Sequence, residues 1–118
     1  MKDNLSDKIR LLHILDAIQH IENFSLNRNK ADIYNDFQLR FSLERQLEII
    51  GEAANHVTSV IHENNVEVEW PKIISFRNFL AHEYFGVDLE LLWGIIIDNI
   101  PLLKKQISTI LSQLESEL

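Results

Sequence analysis

The sequence has 118 residues, of which 46% are hydrophobic, and this is typical of one globular domain with its own core. It contains no cysteine, which excludes a disulfide framework and a thiolate zinc site and fits a reducing cytoplasm. No apolar run approaches membrane-spanning length, so we expect residues 1–118 to form a single cytoplasmic domain without membrane contact. The formal net charge of −7 disfavours broad, nonspecific nucleic-acid binding and suits a basic partner, but it is compatible with a local basic groove.

Three glycines and two prolines favour long helices over a sheet with many turns. Apolar residues at helical spacing predict a first helix over about residues 5–24, with Ser6 or Asp7 as its N-cap. They are Leu5, Ile9, Leu12, Leu15, Ile18 and Ile21. A polar connection follows over residues 27–30, and residues 32–35 are expected to add a short turn.

A second helix is predicted over about residues 36–63. Its apolar positions step by four and three residues, which indicates a seam for packing against another helix. They are Leu43, Leu47, Ile50, Ala54, Val57 and Ile61, and Ile49, Ala53 and Val60 widen this face. Gly51 and Ala54 would let another helix approach closely, either within the subunit or across a dimer.

The third helix is predicted to open at Trp70-Pro71, because proline suits the first helical turn. Its apolar face is Ile73, Phe76 and Leu80. Gly86 is expected to end it and Asp88 to cap a fourth helix.

The fourth helix carries a long apolar stripe, and Pro101 should kink or divide it. The stripe is Leu89, Leu92, Trp93, Ile96, Ile100, Leu103, Ile107, Ile110, Leu111 and Leu114. Since no stretch has the pattern of a strand, the predicted fold is an all-α antiparallel bundle of four to five helices.

Four chemically capable residues, Arg77, Asn78, His82 and Tyr84, lie within eight positions of the third helix. Arg77 is a fixed cation that suits phosphate, and His82 can give and take a proton near neutral pH. In a regular helix Arg77 and His82 point about 140° apart. They can therefore meet only if the helix ends near His82 or if two subunits each supply part of one site.

The other histidines offer no recognisable metal set, and we expect no metal and no cofactor. We interpret His13, His20, His56 and His62 as surface or interface residues. Residues 28–30 and 104–105 are short basic clusters that could border an RNA site, although such clusters are more often plain solvated surface.

The spacing Arg77, four residues, His82, one residue, Tyr84 resembles the R-x-x-x-x-H-x-Y motif of the HEPN superfamily, in its HepT-like toxin branch. Residues 44–54 resemble the central helix of that family. Residues 87–89 and 100–101 resemble its last helix, so the likeness covers about residues 36–105.

The resemblance implies a HEPN-like homodimer that pairs two motifs in one cleft and cleaves RNA without metal. By this likeness Arg77 would hold the scissile phosphate and His82 would act as general acid or base. Asn78 would orient His82 or the phosphate. Tyr84 would receive AMP from an MntA-like nucleotidyltransferase, the antitoxin of a toxin–antitoxin pair.

Plainer interpretations of the same residues stay open. Arg77 could pair with Glu48, Glu52 or Glu83, and His82 could be a histidine that stabilises a helix C-terminus. Tyr84 could be a half-buried core residue. The chain as a whole could be a non-enzymatic helical module that binds the nucleotidyltransferase or its nucleotide, or a structural dimerisation domain.

Overall fold

The computed structural model describes residues 2–82 and 89–117, with side chains described over 3–76 and 89–117. Every regular element within these residues is helical, so the predicted all-α class is confirmed. The helices are α1 (Lys2–Ser25), α2 (Lys30–Asn35), α3 (Phe37–His56), α4 (Ser59–Asn64), α5 (Trp70–His82), α6 (Leu89–Gly94) and α7 (Ile100–Ser116). A π-helical segment, Ile95–Asn99, joins α6 to α7.

The long helices form a bundle in which α3 lies between α1 and α5, and α7 packs on the other side of α1. Asp7 near the start of α1 contacts Thr58 beyond the end of α3, and His20 near the end of α1 contacts Gln46, so α1 and α3 are antiparallel. Lys104 near the start of α7 pairs with Glu22 near the end of α1 at 3.0 Å. The core lies between these helices and is almost entirely aliphatic.

The prediction for α1 was correct for the helix and for the second half of its inner face, where Ile18 and Ile21 are buried, but wrong for the first half. The buried positions are Asp7, Leu11, Ile14, Ala17, Ile18 and Ile21. Leu5, Ile9 and Leu12, predicted to be inside, are 56%, 45% and 38% exposed. The helix carries two apolar stripes, and only one can face α3 and α7. The second stripe is left at the surface of the subunit.

Asp7 is not the N-cap of α1, because the helix already begins at Lys2. Its side chain is 2% exposed and reaches across the bundle to the start of α4. Oδ1 accepts a hydrogen bond from the Thr58 backbone N–H at 2.9 Å, and Oδ2 accepts one from the Thr58 hydroxyl at 2.7 Å. A carboxylate 51 residues away thus supplies the partner that the helix start requires.

The second predicted helix is divided in the structure. The chain leaves helical geometry at Val57, where ψ is 139°, and re-enters it as α4. The predicted seam is buried from Leu43 to Val57, Ile61 is half-buried, and Val60 is exposed. Gly51 and Ala54 are buried within the subunit, where α3 packs between α1 and α5.

Pro101 divides the last helix as predicted, and the structure shows how. The Ile100 N–H bonds to the Ile95 carbonyl, five residues back, which is the π-helical pattern. This wider turn precedes Pro101, which lacks an N–H and would crowd a regular turn. The predicted apolar stripe is buried from Leu92 to Leu114 except for Trp93, which like Leu89 is half-buried and packs against the core.

The connection from α1 to α3 is held by helix caps and an ion pair. Asn27 adopts a φ of 59°, the left-handed conformation in which helices often end. Asn29 and Asp32 form a reciprocal capping box at the start of α2. Asp36 caps α3 and is bound by Arg28 at 2.8 Å, and this hydrogen bond holds the pKa of Asp36 below its ordinary value.

Candidate functional site

The start of α5 is anchored to α4 and, through His62, to the end of α3. The Trp70 indole N–H donates to the Asn65 carbonyl at 3.1 Å, and the His62 ring lies 4.5 Å from the Trp70 ring. His62 Nε2 is 3.0 Å from the Ala54 carbonyl, so with its proton on Nε2 it donates to the last turns of α3. His62 is therefore a half-buried structural residue. His13, His20 and His56 are exposed, as expected.

From this anchor α5 packs along α3 and carries the predicted motif away from Trp70. At 1.5 Å per residue, His82 lies about 18 Å along the axis from Trp70, beside the first half of α3. Arg77, Asn78 and His82 all belong to α5, but their side chains lie outside the described ones. Tyr84, Gly86 and Asp88 lie outside the described residues, and so does the Leu80 side chain.

The helical register of α5 places positions 78 and 82 on one side and position 77 on another. Ile73 and Phe76 are buried and mark the side that faces the core, and Ser75 is exposed. Position 77 follows Ile73 by one turn, which is the core side. Positions 78 and 82 lie closer to the direction of Ser75. Since the helix is continuous to His82, positions 77 and 82 of one chain lie on different sides of one helix.

Two expected partners of Arg77 have other contacts, and the third, Glu83, lies outside the described residues. Glu48 lies 3.3 Å from Arg45, and Glu52 lies 3.9 Å from His56. These surface pairs contribute little by themselves. The pairing of Arg77 therefore stays a prediction.

Glu44, which the sequence analysis did not single out, is half-buried on α3. Its Oε1 is fully enclosed and has no hydrogen-bond partner among the described residues. Burial raises the pKa of this carboxyl, and the nearby Arg40 charge partly offsets that shift. The sequence indicated the burial of Glu44 only weakly, by its position next to the buried Leu43, because this burial depends on the neighbouring helices.

A second feature that the sequence analysis missed is an aromatic pair on the first turns of α3. Phe37 and Phe41 are 64% and 60% exposed, with ring centroids 6.1 Å apart and planes 18° apart. The Arg40 guanidinium carbon lies 4.7 Å from the Phe37 centroid and 5.6 Å from that of Phe41. The sequence could have indicated this cluster, because Phe37, Arg40 and Phe41 are spaced at i, i+3 and i+4 and so lie on one side of a helix.

A cleft of about 190 Å³ opens between the first half of α5 and the start of α7. Its floor includes Ile73, Phe76 and Leu103, and its rim includes Lys72 and Gln106. Gln106 donates to the Glu67 carbonyl at 3.2 Å, which ties α7 to the segment before α5. Phe76, which lines the cleft, directly precedes Arg77, so the described part of the cleft adjoins the motif.

Among the described residues, no group of three or more histidine, aspartate, glutamate or cysteine side chains is arranged to hold a metal ion. None of the described helices is both long enough and apolar enough to cross a membrane.

Comparison with known proteins identifies the family. The family described as Ribonuclease HepT-like matches residues 14–110. "Probable ribonuclease HepT" of Thermococcus cleftensis is 36% identical over 99 residues, covering 84% of this chain and 90% of that protein. "Putative RNase MJ1380" of Methanocaldococcus jannaschii is 32% identical over 103 residues, covering 87% of this chain and 94% of that protein.

"Putative RNase TTE0752" of Caldanaerobacter subterraneus is 36% identical over 107 residues, covering 87% of this chain and 92% of that protein. No solved structure matches the chain. The helical bundle and the motif on α5 together define a HEPN-type protein. The chain belongs to the HepT-like ribonuclease family, which confirms the resemblance that the motif predicted.

Proposed function

We propose that this chain is an endoribonuclease that cleaves RNA phosphodiesters with Arg77 and His82, without a metal ion. The observation that carries the proposal is the family match over residues 14–110, which includes the whole motif. The position of Arg77 and His82 on one anchored helix supports it, because α5 is fixed at Trp70 and packed along α3.

The chemistry follows from the two residue types. His82 takes the proton of a ribose 2′-hydroxyl, and that oxygen attacks the adjacent phosphorus. The bond from phosphorus to the 5′-oxygen breaks, and the departing oxygen takes a proton from the His82 imidazolium. The products are a 2′,3′-cyclic phosphate and a 5′-hydroxyl. Arg77 neutralises the charge that builds on the phosphate, and Asn78 orients His82 or the phosphate.

A homodimer completes this site. Positions 77 and 82 lie on different sides of α5, so a second copy would bring the His82 of one subunit toward the Arg77 of the other. Separately from this site, the exposed stripe of Leu5, Ile9 and Leu12 on α1 is an apolar surface that self-association could cover, because a monomer leaves it in water.

The test is cleavage of a mixed RNA by the purified chain in the presence of EDTA. Arg77→Ala and His82→Ala should each abolish cleavage and leave the helical circular dichroism unchanged. Arg45→Ala and His13→Ala are the matched controls, since both residues are exposed and lie on other helices. Cleaved DNA, activity that requires an added divalent ion, or a fully active His82→Ala variant would refute the proposal.

We further propose that the activity belongs to a cytoplasmic toxin–antitoxin pair and that an MntA-like nucleotidyltransferase silences it by attaching AMP to Tyr84. The phenol oxygen of Tyr84 would attack the α-phosphorus of ATP and pyrophosphate would leave. The added phosphate and base would then compete with RNA for Arg77. The motif spacing supports this, because Tyr84 follows His82 by two residues.

Intact-mass spectrometry after co-expression with the nucleotidyltransferase tests the modification. Increments of one AMP should appear on the wild type and disappear in Tyr84→Phe, which keeps the ring and removes only the acceptor oxygen. The matched control is Tyr34→Phe, an exposed tyrosine on α2 that should keep the increments. Increments that persist in Tyr84→Phe would place the modification elsewhere.

A further inference from the structure

The start of α3 exposes two large aromatic rings that the fold does not use. Phe37 and Phe41 are 64% and 60% exposed, and each would bury a large area if covered. Between them lies Arg40, whose guanidinium is stacked over both rings. We call Phe37, Arg40 and Phe41 the aromatic patch.

The patch is held in place by its surroundings. Asp36 caps the first turn of α3 by accepting from the Leu39 N–H at 3.1 Å, and Arg28 binds Asp36. Leu39 and Leu43, on the opposite side of the helix, are buried in the core. The two rings therefore stand on a fixed helical turn and are close to parallel before any ligand arrives. Such preorganisation lowers the entropy that binding would cost.

The patch also lies at the end of the bundle to which the motif leads. Because α5 starts beside the end of α3 and packs back along it, His82 is carried toward the first half of α3. The chain re-enters the described structure at α6, where Glu90 binds Lys30 and accepts from the Tyr34 hydroxyl at 3.4 Å. The α2–α3 junction and the start of α6 thus share one end of the molecule.

The charge of the patch favours a nucleic acid over an apolar protein surface. Arg40 makes no ion pair with any described side chain, although its charge acts on the half-buried Glu44 carboxyl, so its guanidinium gives the aromatic patch a positive charge in a chain of net charge −7. Covering that guanidinium with apolar protein would cost desolvation without a partner for the charge. Single-stranded RNA brings both a flat base for the rings and a phosphate for Arg40.

We propose that the aromatic patch binds the RNA substrate by stacking an unpaired base next to the scissile nucleotide on Phe37 or Phe41, while Arg40 contacts the neighbouring phosphate. The inference rests on the proposed ribonuclease function and adds to it a preference for single-stranded RNA. Phe37, Arg40 and Phe41 position the substrate and take no part in proton transfer.

The test measures binding separately from cleavage. The probe is a 2′-O-methyl uridine oligonucleotide of about twelve residues, which cannot be cleaved because its 2′-oxygens are blocked. The double variant Phe37→Ala/Phe41→Ala should weaken its binding by about tenfold or more. The double variant Phe37→Leu/Phe41→Leu should lose as much, because leucine keeps apolar area but offers no ring. Phe37→Tyr/Phe41→Tyr should bind as the wild type does.

Three further measurements separate the alternatives. Arg40→Gln should weaken binding and reduce its salt dependence by about one phosphate contact. Val60→Ala, an exposed apolar residue on α4, should bind normally. An oligonucleotide without bases should bind wild type and the alanine variant equally.

Leucine variants that bind like the wild type, alanine variants within twofold of it, or alanine variants that halve the mass in light scattering would overturn the proposal. The last result would make the patch a contact between two copies of the chain. A wild type that binds the probe through the patch but cleaves no RNA would instead refute the ribonuclease proposal and leave the binding site standing.

Discussion

Substitution of Asp7 is expected to lower the free energy of unfolding strongly, because this charged residue is buried. Its carboxylate is 2% exposed and accepts two hydrogen bonds from Thr58, at 2.9 and 2.7 Å. Hydrogen bonds to a charged group contribute about 1.5–3 kcal/mol each, but Thr58 is half-buried and water partly replaces the lost partners. We therefore expect Asp7→Ala to lower the free energy of unfolding by about 2–3 kcal/mol.

The assay is urea unfolding at pH 7 followed by circular dichroism, with thermal melts beside it. For a chain of this length the melting temperature should fall by about 10 °C. Asp7→Asn should cost about 1 kcal/mol, because its amide still accepts from the Thr58 N–H. Asp16→Ala, an exposed aspartate on the same helix, is the control and should stay within about 0.5 kcal/mol of the wild type.

A double-mutant cycle with Thr58→Ala isolates the contact. If the two residues hold each other, the double variant should be less destabilised than the sum of the single variants by about 1 kcal/mol or more. The reasoning is refuted if the effects of Asp7→Ala and Thr58→Ala add, or if Asp7→Ala matches the Asp16→Ala control.

Three other expectations can be measured alongside. Glu44→Met should be more stable than the wild type by about 1 kcal/mol at pH 7, because burial penalises the ionised carboxyl. Because the pKa of Glu44 is raised in the folded state, this penalty appears only as pH rises past about 4.5. The difference in free energy of unfolding between the variant and the wild type should therefore disappear on acidification. A difference that does not change with pH in urea titrations would contradict this expectation. Gly94→Ala should raise the free energy of unfolding by about 0.5–1 kcal/mol, because Gly94 has helical dihedrals and an added Cβ would meet no atom within 4 Å; a loss of stability would show that the helix needs glycine there. Light scattering at micromolar concentration should give about twice 13.8 kDa for the wild type and the monomer mass for Ile9→Glu, and a monomeric wild type would remove the composite site.

The sequence by itself determined the fold class, the positions of the main helices and the family. Apolar spacing identified the buried residues of α3 and α7 because a helix with one apolar stripe leaves only one side to bury. Pro71 and Pro101 marked helix starts because proline lacks an N–H wherever it stands. The motif from Arg77 to Tyr84 identified the family because residue types and their spacing are visible without coordinates.

Tertiary structure alone decided which of two stripes on α1 is inside, where the second predicted helix divides, and what Asp7 does. When a helix has two apolar stripes, its own sequence does not indicate which one is buried, and the packing of neighbouring helices decides it. The partner of Asp7 is 51 residues away, and local spacing carries no information about such a contact. The exposure of Phe37 and Phe41 and the burial of Glu44 were equally undetermined, because both depend on which helices pack against α3.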